Sequence, residues 1–366
     1  MKKALVLGGT GAMGVPLVKL LSEKGFVVQV TSRKKHESTP EIQYIQGNAK
    51  DIQFIESLLT NADYDVIVDF MVYSPAEFEQ RADMFLNATK QYIFISSARV
   101  YAPSNECITE ESPRLLDTCK DKEYLATNDY AILKAKEENV LFKSKKRNWT
   151  IVRPSLTYNV ERLQAPLGEK EDWLFRALHG QILVFPKDMF NIVQTMTFGE
   201  DVSIALSKLV DNPKAIGEVV NIAGADPITW AMVIDTYKKA LAKEGIRPKI
   251  CYIDNSAAVS NAVCNTFQKN QYKYARAIDR KFDNTKLFSI IGNMKFVNAE
   301  EGLSECVHEF MKGKKHFDRI PPQLFAYYDR ITRSRTPLRY FLSKRDKLIY
   351  LYYRYFKCYN NCKSAK

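Results

Sequence analysis

The stretch VLGGTGAMG, residues 6–14, decides the fold of this chain. It places Gly8, Gly11 and Gly14 between an apolar run that predicts a strand and an amphipathic run that predicts a helix. A turn that holds a pyrophosphate needs glycine where the chain reverses tightly and where the backbone approaches the phosphates. The amino terminus of the helix supplies amide groups and a favourable dipole. The stretch therefore predicts a dinucleotide-binding turn.

Apolar and amphipathic runs alternate along the first part of the chain. The apolar runs are short, continuous and rich in Val and Ile, which is typical of strands buried on both faces. They read KALVLGG, FVVQVTS, DVIVDFMV, QYIFISS and WTIVRPS, and a later run, GEVVNIAG, covers 217–224. Strand alternating with helix predicts an α/β fold with a doubly wound parallel sheet of the Rossmann type.

Composition and charge divide the chain into three expected regions. The Rossmann core spans 1–155 and continues at about 194–223. A smaller interleaved substrate-binding lobe spans 156–193 and 224–311. Residues 312–366 form a basic, aromatic carboxyl-terminal tail with 15 Lys or Arg and 3 Asp or Glu, which accounts for the whole formal net charge of +12.

The bulk properties exclude disorder and a membrane-spanning class. The chain has 366 residues, of which 46% are hydrophobic, and it lacks an uninterrupted apolar run of membrane-spanning length. The turn follows Met1 without a signal-peptide pattern, so a cytoplasmic location is expected. The seven cysteines are scattered without a CxxC pair, which predicts free thiols and no zinc site; they are Cys107, Cys119, Cys251, Cys264, Cys306, Cys358 and Cys362.

The segment DYAILKAKEE, residues 129–138, places Tyr130 and Lys134 four residues apart, on one face of a predicted helix. A phenol is a weak base at neutral pH, and a nearby ammonium favours its phenolate form. The pair alone is common in helices. A second segment, QYIFISSARVYA, ends a predicted strand with Ser96 and Ser97 and adds a hydroxyl to the candidate site.

Four motifs in this order resemble the extended short-chain dehydrogenase/reductase superfamily, which contains the NAD-dependent epimerases and dehydratases. They are the GxxGxxG turn, the SSARVY segment, the YxxxK pair and the Arg-Pro of WTIVRPSLTY. The resemblance implies that Ser97 holds a substrate oxygen, that Tyr130 transfers a proton to or from it, and that Lys134 contacts the nicotinamide ribose. The cofactor then gives or takes a hydride.

The resemblance also implies a set of cofactor contacts, namely Gly8, Thr10, Gly11, Met13, Gly14, Ser32, Arg33, Asn48, Lys134 and Pro154. The second strand ends in VTSRKK without an acidic residue, so Ser32, Arg33 and Lys34 could bind a 2′-phosphate. This favours NADP over NAD. The alternative is that Arg33 and Lys34 form a solvated turn. Asn48 stands where the family usually has Asp, and its side-chain oxygen could accept a hydrogen bond from adenine.

Two departures from the family pattern bear on the reaction. Dehydratases of this type carry two acids directly after the Ser or Thr, whereas this chain has Ala98 and Arg99, so 4,6-dehydration is disfavoured. Nucleotide-sugar enzymes tend to carry an Arg for the diphosphate where this chain has Gln194. Arg176, His179 or Lys187 could replace it.

We therefore expect an NAD(P)-dependent epimerase or reductase acting on a sugar, with a nucleotide sugar favoured. The alternative is a cofactor-binding scaffold with a basic tail. The short segment DVIVDFMVYSPAEFEQRADMFLNATKQY, together with VTSRKK and Gln194, resembles a divergent branch that contains the chloroplast stem-loop RNA-binding proteins. Retention of YxxxK favours the enzyme.

Partners are also suggested by the sequence. A homodimer could form through the helices at 76–90 and 130–146. The tail either docks its aromatic side chains on the body or, through 338–357, contacts an anionic membrane surface. A protein partner is a further alternative, and nucleic acid is the least favoured.

Overall fold

The computed structural model describes residues 1–60 and 63–357, and these divide into two compact units. Unit 1 comprises Met1–Thr157, Thr195–Asp226 and Arg280–Val297. Unit 2 comprises Tyr158–Gln194, Pro227–Asp279 and the chain from Asn298 onward. Strands and helices are numbered here in chain order. Short 3-10 turns lie at Ala98–Val100, Lys187–Met189, Pro213–Ala215 and Leu338–Tyr340, and π-helical turns at Tyr272–Arg276 and Tyr352–Phe356.

The strands of the chain have the following bounds: β1 Lys2–Leu7, β2 Phe26–Ser32, β3 Ile42–Gln46, β4 Tyr64–Asp69, β5 Thr89–Ile95, β6 Trp149–Pro154, β7 Leu156–Tyr158, β8 Leu183–Pro186, β9 Val193–Phe198, β10 Val219–Ile222, β11 Pro227–Thr229 and β12 Ile250–Ile253.

The helices have these bounds: α1 Gly14–Glu23, α2 Ile52–Leu59, α3 Pro75–Asn87, α4 Leu115–Thr118, α5 Lys122–Leu125, α6 Tyr130–Lys143, α7 Lys170–Leu178, α8 Gly199–Leu209, α9 Trp230–Lys243, α10 Ser256–Val263, α11 Thr266–Gln271, α12 Thr285–Ile291, α13 Ala299–Lys312, α14 Pro322–Thr332 and α15 Lys344–Leu351.

Unit 1 is built on a seven-stranded sheet in the order β10-β6-β5-β4-β1-β2-β3. All six neighbouring pairs are parallel. The strand order reverses between β1 and β4, which is where a doubly wound sheet leaves a crevice at its carboxyl edge. The predicted Rossmann sheet is confirmed.

Successive residues of the central strand enter two different cores, because side chains alternate across a sheet. Ala4 and Val6 pack in the cluster that contains Leu17 of α1. Leu5 packs on the other face in the cluster that contains Phe78 of α3. Both faces of the strand are therefore dry, which explains why its sequence is continuous in apolar residues.

The unit boundaries differ from the expected regions at two places. Residues Arg280–Val297 belong to unit 1, whereas the sequence assigned them to the second lobe. Leu287 and Phe296 from this segment are buried in the sheet's apolar cluster, which explains the grouping. The described part of 312–366 belongs to unit 2 instead of forming a separate tail.

Unit 2 is mainly helical, with one parallel strand pair, β8 with β12. Its apolar cluster joins Phe175 of α7 to Phe325 of α14 and to Tyr350 of α15. Arg176 pairs with Asp329 at 3.0 Å, and both side chains are fully buried. Several aromatic side chains of the basic segment 312–366, including Phe325 and Tyr350, are thus buried in this core. In the described part of the chain, no helix has the length and apolar character needed to cross a membrane.

Candidate functional site

The glycine-rich turn joins β1 to α1 in unit 1. Gly8 has φ of 70°, in the left-handed region that favours glycine, and its N–H donates to Thr31 Oγ1 at 3.0 Å. A Cβ on Gly14 would lie 2.6 Å from the Gly9 carbonyl, so this position admits only glycine without a backbone shift. Thr10 and Gly11 are exposed between them. The turn has the open backbone and close packing that a pyrophosphate site requires.

The amino end of α1 follows this turn directly. Met13 is the N-cap residue, and its side chain makes no capping hydrogen bond. The Met13 carbonyl accepts a hydrogen bond from Ser203 Oγ at 2.7 Å, which ties the turn to α8. These features fit a bound dinucleotide, since a helix amino terminus without a side-chain cap attracts phosphate groups.

The carboxyl end of β2 carries the predicted 2′-phosphate residues. Arg33 is exposed, whereas Ser32 is buried and its Oγ lies 3.0 Å from His36 Nε2. His36 stacks on Tyr44 with ring centres 4.8 Å apart. The sequence prediction missed His36, although it directly follows the RKK run.

Asn48 lies at the carboxyl end of β3 and is exposed. Its Oδ1 already accepts a hydrogen bond from Lys50 N at 3.1 Å. The predicted adenine contact would therefore use the remaining lone pair of that oxygen.

Ser97 and Tyr130 lie on neighbouring segments at the carboxyl end of the sheet. Ser97 follows β5, is half-buried, and accepts a hydrogen bond from Arg99 N at 3.2 Å. Tyr130 is the first residue of α6, and Asp129 caps that helix by accepting from Ala131 N at 3.0 Å.

Arg99 joins these two segments. Its guanidinium pairs with Asp129 at 3.3 Å and lies 5.4 Å from the centre of the Tyr130 ring. Cation and ring at this separation attract one another. Arg99 therefore holds the turn that carries Ser97 beside the helix that carries Tyr130.

Lys134 lies one helical turn after Tyr130 and is buried, with 1% of its side chain exposed. Its Nζ donates to the Met71 carbonyl at 2.9 Å and lies 2.9 Å from Glu137 Oε2. The same ammonium lies 4.3 Å from the centre of the Phe94 ring. Lys134, which is predicted to contact the ribose, thus already has partners within the protein.

Two buried carboxylates surround this lysine, and the sequence prediction missed both. Burial raises the pKa of Glu137 to about 7, and burial also raises the pKa of Asp69 to about 6. Glu137 accepts from Tyr73 N at 3.0 Å, and Asp69 accepts from Tyr92 O–H at 2.8 Å. The adjacent glutamates in KAKEE were a visible signal, but their burial was not.

A second buried network supports the strand that carries Ser97. Glu138 accepts from Ser96 Oγ at 2.6 Å and pairs with Arg153 through both carboxylate oxygens, at 2.8 and 2.7 Å. Arg153 also donates to Tyr101 Oη at 2.8 Å. Pro154, the last residue of β6, is buried and lies opposite Ile222. The Arg-Pro motif therefore fixes neighbouring strands and α6 around the site.

The diphosphate candidates in unit 2 are bound to other groups of that unit. Gln194 is buried and donates to the Ile278 carbonyl at 2.8 Å. Arg176 donates to the Ile182 carbonyl at 2.9 Å and pairs with Asp329. His179 Nδ1 lies 2.7 Å from the Phe175 carbonyl, and Lys187 pairs with Asp254 at 3.3 Å. All four side chains therefore have partners in unit 2.

The thiols and carboxylates show no metal-binding cluster among the described residues. Cys107, Cys119, Cys251, Cys264 and Cys306 are free thiols. Cys358 and Cys362 lie outside the described residues.

Comparison with known proteins gives a family match in the first half of the chain. Residues 8–176 match the family described as NAD(P)H-binding. The matched segment covers less than half of the chain. It contains the glycine-rich turn, Ser97, Tyr130 and Lys134.

One curated relative is the chloroplast stem-loop binding protein of 41 kDa b of Arabidopsis thaliana. The two are 29% identical over 267 residues, which cover 68% of this chain and 64% of the relative. The alignment thus spans less than two thirds of that protein.

Two solved structures show the same fold. The dTDP-glucose 4,6-dehydratase of Bacillus anthracis in complex with NAD has a TM-score of 0.65 and 18% identity, covering 87% of this chain and 99% of that one. The UDP-glucuronic acid 4-epimerase of Bacillus cereus, in complex with UDP-glucuronic acid and NAD, has a TM-score of 0.59 and 16% identity, covering 84% and 99%. The predicted resemblance to the epimerase/dehydratase family is confirmed at the level of the fold.

Proposed function

We propose that the protein is an NAD(P)-dependent epimerase or reductase that acts on a sugar through Ser97, Tyr130 and Lys134. The supporting observation is the position of Arg99. Its guanidinium pairs with Asp129, the cap of α6, and lies over the Tyr130 ring. Ser97 caps the short 3-10 turn that contains Arg99. A hydroxyl and a phenol held on adjacent rigid elements suit recognition of one carbinol or carbonyl oxygen.

The roles of the residues follow from their chemistry. The nicotinamide, when bound, supplies hydride transfer at carbon. Tyr130 donates a proton to the substrate oxygen or accepts one from it, and Ser97 hydrogen-bonds that oxygen. Arg99 places its positive charge over the Tyr130 ring and holds that ring beside the cap of α6. Lys134 contacts the Met71 carbonyl and Glu137 beside the site. To contact a ribose, its ammonium has to give up one of these two partners.

NADP is the favoured cofactor and NAD is the alternative. Exposed Arg33 and the Ser32–His36 pair at the end of β2 support a 2′-phosphate contact. Two similar structures are complexes with NAD, which supports the alternative.

A nucleotide sugar is the favoured substrate because similar structures contain nucleotide sugars, such as UDP-glucuronic acid in the epimerase. Gln194 and Arg176 are buried with partners of their own, so exposed Lys187 is the favoured contact for the diphosphate. The 4,6-dehydration reaction is disfavoured, since Ala98 is buried and Arg99 is a cation where that chemistry uses acids.

A homodimer through α3 and α6 is a further part of the proposal. The groove between these helices has exposed Glu79 and Asp83 on one side and exposed Lys143 and Lys145 on the other. A twofold axis would bring the acidic side of one copy to the basic side of its partner.

A cofactor-binding scaffold that binds RNA is the second candidate. The observation that favours it is the name of the Arabidopsis relative, a stem-loop binding protein, together with the basic segment 312–366.

The test compares Tyr130→Phe with the wild type. Mass spectrometry first identifies any nucleotide released from the denatured wild type, and turnover is then measured on a panel of nucleotide sugars with NAD and NADP. We expect Tyr130→Phe to lose about 10²–10⁴-fold in turnover because it removes the transferable proton, with cofactor affinity unchanged.

Tyr64→Phe is the control, because Tyr64 donates to Gln29 in the same unit, away from Ser97. This variant should retain turnover. Full turnover in Tyr130→Phe, or no turnover by the wild type on the panel, contradicts the proposed enzyme and favours the scaffold.

A further inference from the structure

The exposed apolar side chains of the protein are concentrated near its carboxyl end. Among the described residues, twelve large hydrophobic side chains are exposed, and five of them lie between 342 and 356. These five are Leu342 (77%), Leu348 (68%), Tyr352 (54%), Tyr355 (53%) and Phe356 (74%). We refer to them as the carboxyl-terminal patch. Such a concentration marks an interaction surface, since single exposed apolar residues are otherwise scattered.

The patch forms one side of a continuous helical segment. α15 continues directly into the π-helical turn Tyr352–Phe356. Leu348, Tyr352 and Tyr355 recur at spacings of four and three residues, which places them on the same face. Leu342 lies just before the segment.

The opposite face of this segment is anchored within unit 2. Asp346 is buried and pairs with Arg319, and Tyr350 O–H donates to Asp329 Oδ2 at 2.8 Å. Arg354 donates to the Ser334 carbonyl at 3.1 Å. These bonds fix the rotation of the segment, so the patch cannot turn inward without breaking them.

The exposed charges of residues 339–357 have one sign. Lys344 and Arg345 are exposed in the first turn of α15, and Arg339 is exposed just before it. Asp346 is the only acidic residue between 339 and 357, and it faces Arg319. The surface therefore presents apolar groups and positive charge with no exposed carboxylate from this segment.

We propose that the carboxyl-terminal patch binds the surface of an anionic lipid bilayer. Leucine and phenylalanine side chains enter the acyl boundary, tyrosines suit the interface with an apolar ring and a polar tip, and Lys344 and Arg345 attract anionic headgroups. The thirteen residues of α15 and the following turn extend about 20 Å, less than the roughly 30 Å hydrocarbon core, so the segment lies along the surface.

Other partners fit the same surface less well. RNA would use the rings for stacking and the cations for phosphates, but Leu342 and Leu348 are among the most exposed members of the patch and have no stacking role. A second copy of the patch would bring more positive charge and no acidic complement. The lipid proposal does not depend on the proposed enzyme activity.

The experiment is sedimentation of the full-length protein with vesicles of phosphatidylcholine, with and without phosphatidylglycerol. Leu348→Ser with Phe356→Ser removes apolar contact and keeps the charge. Lys344→Gln with Arg345→Gln removes charge and keeps the apolar contact. We expect the wild type to bind the anionic vesicles preferentially, and each double variant to lose binding by about tenfold or more.

Met232→Ser with Tyr252→Ser is the matched control, because both side chains are exposed apolar residues of unit 2 outside the patch, at 41% and 37%. It should bind like the wild type. The proposal is overturned if the wild type does not bind vesicles or binds them equally with and without phosphatidylglycerol. Patch variants that bind as strongly as the wild type overturn it as well. It is also overturned if the patch variants lose binding to a stem-loop RNA while the wild type ignores vesicles.

Discussion

The two ends of the candidate cofactor site are built in opposite ways. At the glycine-rich turn, side chains are minimal and Thr10 and Gly11 are exposed. At the other end, Lys134 is buried with the Met71 carbonyl and Glu137 as partners. The turn can receive a pyrophosphate without rearrangement, whereas Lys134 can contact a ribose only by giving up a partner.

This difference teaches that one part of a site can be preformed while another part also serves stability. A buried ammonium between two carboxylates supports the fold through its charge. Substitutions at the two ends should therefore have different consequences for folding and for binding.

The largest expected effect is that of Lys134→Met on stability. Removing the cation leaves Glu137 and Asp69 buried without their compensating charge, which should cost about 3–5 kcal/mol of unfolding free energy. Urea unfolding at a pH above the pKa of Glu137 measures this loss of unfolding free energy. The double variant Lys134→Met with Glu137→Gln should recover a large part of it. Equal denaturation midpoints for Lys134→Met and the wild type would remove the proposed structural role.

A smaller effect is expected at the turn, where two glycines form a matched pair. Gly14→Ala places a Cβ 2.6 Å from the Gly9 carbonyl, so it should cost about 1–3 kcal/mol and weaken nucleotide binding. Gly11 has nothing within 4 Å of its added Cβ. Gly11→Ala should therefore leave unfolding unchanged and weaken only NAD(P) binding, measured by calorimetry. If Gly11→Ala were the less stable of the two, the described geometry of the turn would be wrong.

The smallest expected effect is a pH dependence set by Glu137. Burial raises its pKa in the folded protein to about 7, above the ordinary value of about 4.3. The stability contributed by the protonated carboxyl is therefore present at low pH and is lost as pH rises through about 7. The loss begins near the unfolded pKa of about 4.3 and ends near pH 7. Glu137→Gln lacks this loss, so between about pH 6 and pH 8 it should gain about 1–2 kcal/mol of unfolding free energy relative to the wild type.

Urea unfolding at a series of pH values measures this difference. Glu79→Gln, an exposed position on α3, is the control and should follow the wild type. If the unfolding free energies of Glu137→Gln and the wild type changed with pH in parallel, Glu137 would not titrate near pH 7.

Most of the sheet was predictable because its strands are buried on both faces. FVVQVTS coincides with β2, and two other runs contain β6 and β10. The remaining three runs overlap β1, β4 and β5 but begin one or two residues after the start of each strand. β3, with sequence IQYIQ, lies at one edge of the sheet and was not found from its apolar pattern, because its residues are half-buried or exposed. β10, at the opposite edge, is mostly buried and mostly apolar, so burial rather than position in the sheet decided which strand was found.

The candidate site was predictable in its residue types but not in its pairings. The spacing placed Tyr130 and Lys134 on one helix face, but it could not show that Glu137 would be buried beside Lys134. Asp69 gave no local signal, since its burial depends on strands far away in sequence. Residues 280–297 were assigned to the second lobe instead of unit 1 for the same reason, since their packing against the sheet depends on residues far away in sequence.

The sheet order has a consequence for synthesis on the ribosome. β6 has β10 as its outer neighbour, and β10 begins only at Val219. At about 5–20 residues per second, the intervening chain takes roughly 3–13 s to be made. During that time β6 is an edge strand with open backbone groups. Aggregation of the nascent protein should therefore start at the strand that carries Arg153 and Pro154.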